Sequence, residues 1–508
     1  MFSQNDLEFL KEKNIDLSIM LDHRNYLIED NFYVNIIKPA TISDGILKLT
    51  KEEVQNYHKI FEDKMNSFKI SKFVPASGAA SRMFQFLSIF LKEYNFKNET
   101  INAYINRKKD NLLQSFIIGI EKFPFYDYIN NQLQNQYFTS EDDYIFNFVK
   151  ILIEKDFLNY SEKPKGILPF HKINNNYSTP IDKHLEEAML YTLSNHKANV
   201  HFTISKEYEN DFDKLIQNYL FQNNLQDKID YSFSYQNSNT DTIAWNKNFK
   251  PFKCNEELLT RPSGHGALLY NLNQLDSDLV FIKNIDNVLH HTSLEMINYK
   301  KVLAGILLEI QEKIFFYLNQ LKEFYSNELE VEIIEFIHNK LNRSLDVDFD
   351  FFAQENKIKY LFKQLNRPIR ICGMVKNEGE PGGGPFWILD KKGYKSLQII
   401  EAAQINTKLE KQAKILQNAT HFNPVDLVCS LKNYQNKTFN LQDFVDKSLG
   451  FMVKKSKNGN TFLAYELPGL WNGSMAHWHT IFVEVPINTF NPVKTVVDLL
   501  KPAHQRKL

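Results

Sequence analysis

The sequence predicts an α/β sandwich with a mostly parallel central sheet and two helical insertions. Three observations predict it. Apolar strand-like runs at 199–205 (NVHFTIS), 229–235 (IDYSFSY) and 278–285 (DLVFIKNI) alternate with helix-period patterns at 181–195 and 207–223. That alternation is the order that builds parallel βαβ units. A short strand, SKFVPA at 71–76, runs straight into a loop of small residues. Two long stretches, 84–160 and 295–365, carry Phe, Leu and Ile spaced three and four apart, the period of helices.

Taken in order, residues 1–66 read as a polar, mostly helical lead-in. Asn5 is placed to cap a first helix, and KEEVQNYHKIFEDKM at 51–65 has helical spacing. The α/β core follows over 67–445, with the insertions at 84–160 and 295–365. RPIRICGMV (367–375), PFWIL (385–389) and SLQIIEAAQI (396–405) are strand-like, and PGGGP (381–385) and the KKG at 391–393 mark turns between them. Residues 446–508 form a β-rich segment ending in HTIFVEVP (479–486) and a final helix-like VKTVVDLLK (493–501). There are no internal repeats and no low-complexity linker.

Composition narrows the function classes. With 508 residues, 43% hydrophobic and 24% charged, the chain has the make-up of a soluble globular protein larger than one compact core. A net charge of −1 gives no electrostatic reason to expect nucleic acid or an anionic membrane as partner. Cys254, Cys372 and Cys429 lie far apart and no CxxC occurs, so neither a disulfide framework nor a zinc knuckle is expected. MFSQNDLEFLKEK lacks the basic-then-apolar order of a signal peptide, and Glu309, Glu312 and Lys313 interrupt the most apolar run, so the expectation is a cytoplasmic protein with no membrane span.

Five short motifs carry the chemistry. ASGAASR (76–82) sits where a strand hands over to a helix; Ala76, Ser77, Gly78, Ala79 and Ser81 are small enough for backbone N–H groups to approach an anion, and Arg82 adds a fork of donors. The plainer alternative is a tight turn. PKGILPF (164–170) holds Lys165 in an extended stretch between Pro164 and Pro169, a fixed charge for a phosphate or a surface lysine in a stiff loop. RPSGHGAL (261–268) places Gly264 and Gly266 around His265, so that a base or ribose could lie against the main chain; otherwise it is a turn before a helix. FIKNIDN (281–287) ends an apolar strand on Asn284, Asp286 and Asn287. A carboxylate there lies at the usual ligand edge of an open sheet and suits magnesium, though an Asx turn is the alternative. TFNPVKTVVDLL (489–500) supplies Lys494. NEGEPGGGPFW (377–387), with Glu378 and Glu380, reads as a lid or hairpin tip. ELPGLWNGSMAHWHT (466–480) would suit a sugar ring if exposed, or else form aromatic core.

Together these motifs resemble the UDP-sugar pyrophosphorylases, and the matches run in that family's order from about residue 70 to 500. ASGAASR is similar to the family's GG-x-GTR nucleotide loop, PKGILPF to its proline–lysine segment, and YQNS with Gln236 to its Phe-x-Gln strand end. SGHGAL is similar to its Gly-His-Gly loop and IKNIDN to its Asn-x-Asp-Asn segment. QIIEAAQIN with Glu401 and ATHFNPVDLV with Asn423 resemble the sugar-site strands, and FNPVK the lysine-bearing segment. The chain also resembles a family of unknown function, common in Bacteroidetes, that carries the same fold. The resemblance implies a GT-A-like, Rossmann-like nucleotidyltransferase sandwich. It implies a magnesium-dependent reaction between a nucleoside triphosphate, UTP favoured, and a sugar 1-phosphate. Arg82, Lys165 and Lys494 would be catalytic and Asp286 the metal ligand. The loop residues 76–81, Gln236, Gly264, His265 and Gly266 would bind the nucleotide, and Glu401 and Asn423 the sugar. There are departures: Ala80 stands for the loop's last glycine, Ser81 for its threonine, and a long insertion separates Arg82 from Lys165. A GT-A-type glycosyltransferase using an NDP-sugar, and a degenerate nucleotide-binding protein without catalysis, are the alternatives.

Overall fold

A computed structural model describes residues 1–29, 33–174, 176–379, 382–389, 393–457 and 460–506. Glu380 and the turn lysines Lys391 and Lys392 lie outside the described residues. The protein is a mixed α/β structure with a mostly parallel central sheet. The chain divides into two compact units. Unit 1 comprises Met1–Phe73, Ser234–Ile282 and Asn298–Ile487; unit 2 comprises Val74–Phe233, Lys283–Ile297 and Asn488–Leu508.

In unit 1 the strand order runs Gly45–Leu47, His479–Glu484, Ile369–Lys376, Asp426–Ser430, Leu279–Lys283, Ile70–Pro75. His479–Glu484 is parallel to both Gly45–Leu47 and Ile369–Lys376, Leu279–Lys283 is parallel to Ile70–Pro75, and Asp426–Ser430 is antiparallel to Ile369–Lys376. These strands are apolar without alternation because both faces are covered; Ile282, Cys372, Leu427 and Phe482 all lie in one buried cluster. The long helix Leu294–Glu323, most of which belongs to this unit, packs so closely on the helix Lys51–Lys64 that a Cβ on Gly305 would meet the Tyr57 carbonyl oxygen at 1.9 Å. The lead-in is less helical than its polarity predicts: Ile36–Pro39 pairs with Gly383–Leu389, and Gly45–Leu47 joins the main sheet. The first helix, Gln4–Glu12, is capped by Ser3 in a reciprocal box with Asp6, not by Asn5.

In unit 2 the strand Ala198–Ile204 neighbours Ile229–Tyr235. Helix Pro180–Tyr191 starts at a Thr179–Asp182 capping box with proline in its first turn. The helical stretch 84–160 resolves into helices Gln85–Glu93, Ile101–Lys108, Asn111–Ile118, Tyr126–Leu133 and Glu141–Ile153. Their apolar faces form this unit's main core, into which Leu168, Phe170, Val493, Val496 and Leu499 also pack. The final helix-like segment is a short 3-10 turn, Val496–Leu500.

Candidate phosphate-binding site in unit 2

Strand Ile70–Pro75 ends at a loop, and the helix after it begins only at Gln85. Within the loop the Ala76 N–H donates to the Thr203 carbonyl and the Ala80 N–H to the Lys163 carbonyl. The N–H groups of Ser77, Gly78, Ala79 and Ser81 meet no acceptor among the described residues. Gly78, Ala79 and Ser81 are exposed, and a Cβ on Gly78 would touch nothing within 4 Å. Unpaired amides beside open space are what an anion requires of a backbone. Ala80 is fully buried in the helical core with ordinary negative φ, so packing, not backbone freedom, sets that residue and accounts for the missing glycine.

Lys165 is tied to this loop through its backbone: its N–H donates to the Gly78 carbonyl at 3.1 Å. The stretch around it is a 3-10 turn, Lys165–Ile167, rather than extended chain. Its ammonium donates to Asp286 Oδ2 at 2.8 Å and to the Val493 carbonyl at 2.7 Å. Lys494 reaches the same carboxylate, at 3.2 Å from Oδ2 and 3.5 Å from Oδ1. The segment carrying Lys494 is pinned in place: the Val493 N–H donates to the Asp286 carbonyl, the Asn491 N–H to Asn287 Oδ1, and the Val496 N–H to the Met83 carbonyl. Gly78, Lys165, Asp286 and Lys494 thus meet, although the sequence separates them widely.

The electrostatics follow from burial and charge count. The Lys165 and Asp286 side chains are 13% and 9% exposed, and Lys494 is 58% exposed. Burial pulls the Lys165 pKa down, and Asp286 restores part of the loss. Burial alone would raise the Asp286 pKa, but Lys165 and Lys494 outweigh it and hold the carboxyl below its ordinary range. Arg82 is exposed, near enough to disfavour the charge on Lys165, and pairs with no carboxylate among the described residues. Two lysines on one carboxylate, with Arg82 nearby, leave an excess of positive charge suited to phosphates.

Both Asp286 oxygens accept from ammonium groups, Oδ1 only from Lys494 at 3.5 Å. No cluster of three or more His, Cys, Asp or Glu able to hold a metal occurs among the described residues. One carboxylate together with substrate phosphates is the usual magnesium arrangement, and Asp286, which here also positions two lysines, is the residue that would hold such an ion.

The remaining sequence-predicted residues lie in unit 1. Gln236 buries its Nε2 with no partner among the described residues. Gly264 has φ +84°, and a Cβ on Gly266 would meet the Pro468 carbonyl oxygen at 2.1 Å, so both glycines are required by the backbone. His265 accepts from the Leu470 N–H through Nδ1 and stacks on Trp471, and burial pushes its pKa down to about 4. It is a packed, neutral ring. Glu401 and Asn423 meet at Gly383, which pairs with Glu401 in a sheet and accepts from the Asn423 N–H. Burial raises the Glu401 pKa, and Asn423 Oδ1 caps a turn by accepting from the Val425 N–H. The Trp-rich stretch 466–480 is mostly buried, with Trp478 1% exposed, which makes it aromatic core. Sequence reading missed the Val493 carbonyl as a partner of Lys165, because a main-chain acceptor leaves no side-chain signal.

Fold and cluster define an α/β protein in which a loop with unpaired amides stands beside two lysines on one carboxylate. The chain belongs to the family described as domain of unknown function DUF4301, which matches it over residues 3–505. No protein of curated description matches it. Among solved structures it is similar to UDP-N-acetylglucosamine pyrophosphorylase from Trypanosoma brucei, with TM-score 0.46 and 11% identity over 94% of this chain and 74% of that one. It is also similar to a mutant UDP-glucose pyrophosphorylase from Leishmania major in complex with UDP-glucose, with TM-score 0.45 and 11% identity over 98% of this chain and 78% of that one. No helix among the described residues is long and apolar enough to cross a membrane.

Proposed function

We propose that the protein is a nucleotidyltransferase joining a nucleoside triphosphate, UTP by preference, to a sugar 1-phosphate. One observation carries this reading: the unpaired amides of Ser77, Gly78, Ala79 and Ser81 stand beside Lys165 and Lys494, both held on Asp286. The order of the motifs along the sequence, like that of the UDP-sugar pyrophosphorylases, supplies the reaction class. A phosphate oxygen of the sugar 1-phosphate attacks the α-phosphorus. The bond between that phosphorus and the bridging oxygen breaks, and the electron pair leaves on pyrophosphate. Backbone amides and Arg82 would hold the departing phosphates, while Lys165 and Lys494 would neutralise charge building on the α-phosphate. The resemblance gives the base to Gln236 and the loop of Gly264, His265 and Gly266, and the sugar to Glu401 and Asn423. Magnesium would supply charge neutralisation on the phosphates and would be held by Asp286 beside the two lysines, and no step here runs through it.

The test is pyrophosphate release from a panel of triphosphates and sugar 1-phosphates, with and without added magnesium. Release with one pair supports the reading. Transfer of sugar from an NDP-sugar without pyrophosphate release replaces it with a glycosyltransferase. Nucleotide binding without either reaction replaces it with a non-catalytic binder.

A further inference from the structure

Lys494 is half-exposed and long, yet its main chain is held tightly. The chain after it forms the 3-10 turn Val496–Leu500, and Asp498 inside that turn reaches back to the lysine. Asp498 Oδ2 accepts from the Lys494 N–H at 2.9 Å, the Thr495 N–H at 2.7 Å and the Thr495 hydroxyl at 3.1 Å. Its Oδ1 pairs with the Lys501 ammonium at 2.8 Å, on a side chain 64% exposed. The two amides belong to the two rigid peptides that flank the Lys494 Cα. One carboxylate oxygen therefore fixes both, and with them the direction in which the Lys494 side chain leaves the chain.

The turn is itself seated on the helical insertion of unit 2. Val493, Val496 and Leu499 pack into the core that the helices between 84 and 160 form, and the Val496 N–H donates to the Met83 carbonyl. Leu500 lies over Gly119, the residue that closes helix Asn111–Ile118. A Cβ on Gly119 would meet Leu500 Cδ1 at 2.4 Å and Cγ at 3.2 Å. Gly119 has φ −97°, which is not confined to glycine. Room for Leu500, rather than backbone freedom, is what keeps a side chain out of this position.

We propose that Asp498 is the positioning residue for Lys494, and that the helical insertion, through the Gly119–Leu500 seat, holds the turn in which Asp498 lies. Asp498 has no part in the reaction proposed above. It acts through the main chain that brings the Lys494 ammonium to 3.2 Å from Asp286 Oδ2. Neither Asp286 nor any cation around it comes from the stretch 84–160, so this seat is the insertion's contribution to the cluster. The placement of Lys494 stands on geometry alone, whereas its effect on turnover rests on the nucleotidyltransferase reading.

Acetylation of the full chain with N-hydroxysuccinimidyl acetate, read by mass spectrometry, tests the placement without catalysis. An amine acylates through a free lone pair, which the ion pair with Asp286 withholds. Asp498→Ala should acetylate Lys494 roughly twofold to fivefold faster than wild type, the weight of one half-exposed ion pair. Asp498→Asn keeps an oxygen for the two amides and gives up only the charge toward Lys501, so it should stay at the wild-type rate. Gly119→Val should speed Lys494 acetylation as Asp498→Ala does, and adding Leu500→Ala, which makes room for the valine, should reverse it. Lys183, 9% exposed in the same unit, should stay unreactive in every variant. Where wild type releases pyrophosphate, kcat should fall by roughly tenfold in Asp498→Ala and Gly119→Val, the cost of a displaced catalytic group, and recover in the two compensated variants. An unchanged Lys494 rate in Asp498→Ala, an equal rise in Asp498→Asn, or a Lys183 that opens alongside Lys494 overturns the role of Asp498. No reversal by Leu500→Ala overturns the seat. A wild type that releases no pyrophosphate overturns the reaction alone, since the acetylation rates are read without it.

Discussion

At Asp286 a single carboxylate holds two lysines of very different exposure, and its two partners therefore predict different phenotypes. Lys494 is 58% exposed, so its loss removes little packing, and the buried Asp286 keeps Lys165 as its counter-charge. Lys494→Ala should leave stability within about 0.5 kcal/mol of wild type and lower turnover by roughly 10²–10³, the effect of deleting one strong electrostatic stabiliser. Asp286→Asn acts differently. It keeps the shape but leaves the buried Lys165 ammonium without its counter-charge. That variant should lose turnover and also lose on the order of 1–3 kcal/mol of stability. Denaturant melts read beside pyrophosphate release separate the two. Equal stability loss in both variants would show that Lys494 is a structural partner and not a poised one.

Among the loops, two glycine positions that look alike in sequence serve different ends. A methyl on Gly266 would collide with the main chain of Pro468, whereas a methyl on Gly78 would meet open space. Gly266→Ala should destabilise unit 1, and Gly78→Ala should leave the melting temperature unchanged while weakening triphosphate binding, because only a ligand would occupy that space. Normal triphosphate affinity in Gly78→Ala would remove the loop from the site. The same contrast explains how far the sequence was legible. Strands 199–205, 229–235 and 278–285 were readable because continuous apolar runs report two-sided burial, and the structure places strands at Ala198–Ile204, Ile229–Tyr235 and Leu279–Lys283. The grouping of Gly78, Asp286 and Lys494 followed from each lying at an element end, whereas Lys165 joined them only through the family resemblance. Illegible was the strand Ile36–Pro39, a short pairing with alternating exposure and a terminal proline. Equally illegible was the double lysine clamp on Asp286, since spacing along a chain cannot say which cations will share a carboxylate.

Over the whole molecule, the feature with the widest consequence is the number of histidines buried as neutral rings. Burial pushes His23 and His265 in unit 1 down to about 4. In unit 2 it pushes His201 and His504 down to about 4, and burial followed by neighbouring His504 takes His171 to about 2. An unfolded histidine titrates near 6.5, so below that pH the unfolded chain binds protons that the folded one refuses. Stability from these rings is complete above pH 6.5 and drains away as pH falls toward about 4. Each ring shifted this far costs on the order of 3 kcal/mol when the descent is complete. Asp182 opposes the trend, because burial raises its pKa to about 6 and its folded form gains stability as pH falls from there toward 3.8. One carboxyl against five rings does not reverse the sum. Asp286, with its lowered pKa, adds a further loss only below about 3.8, beyond the histidine window. The melting temperature should therefore stay flat from pH about 7.5 to about 6.5, then fall steeply toward about 4.5. Because both units hold such rings, the fall should appear in probes of each, for example exchange at Trp471 beside His265 and at residues 198–204 around His201. A melting temperature that rose on acidification, or that fell in only one unit, would show that these rings carry protons in the folded state.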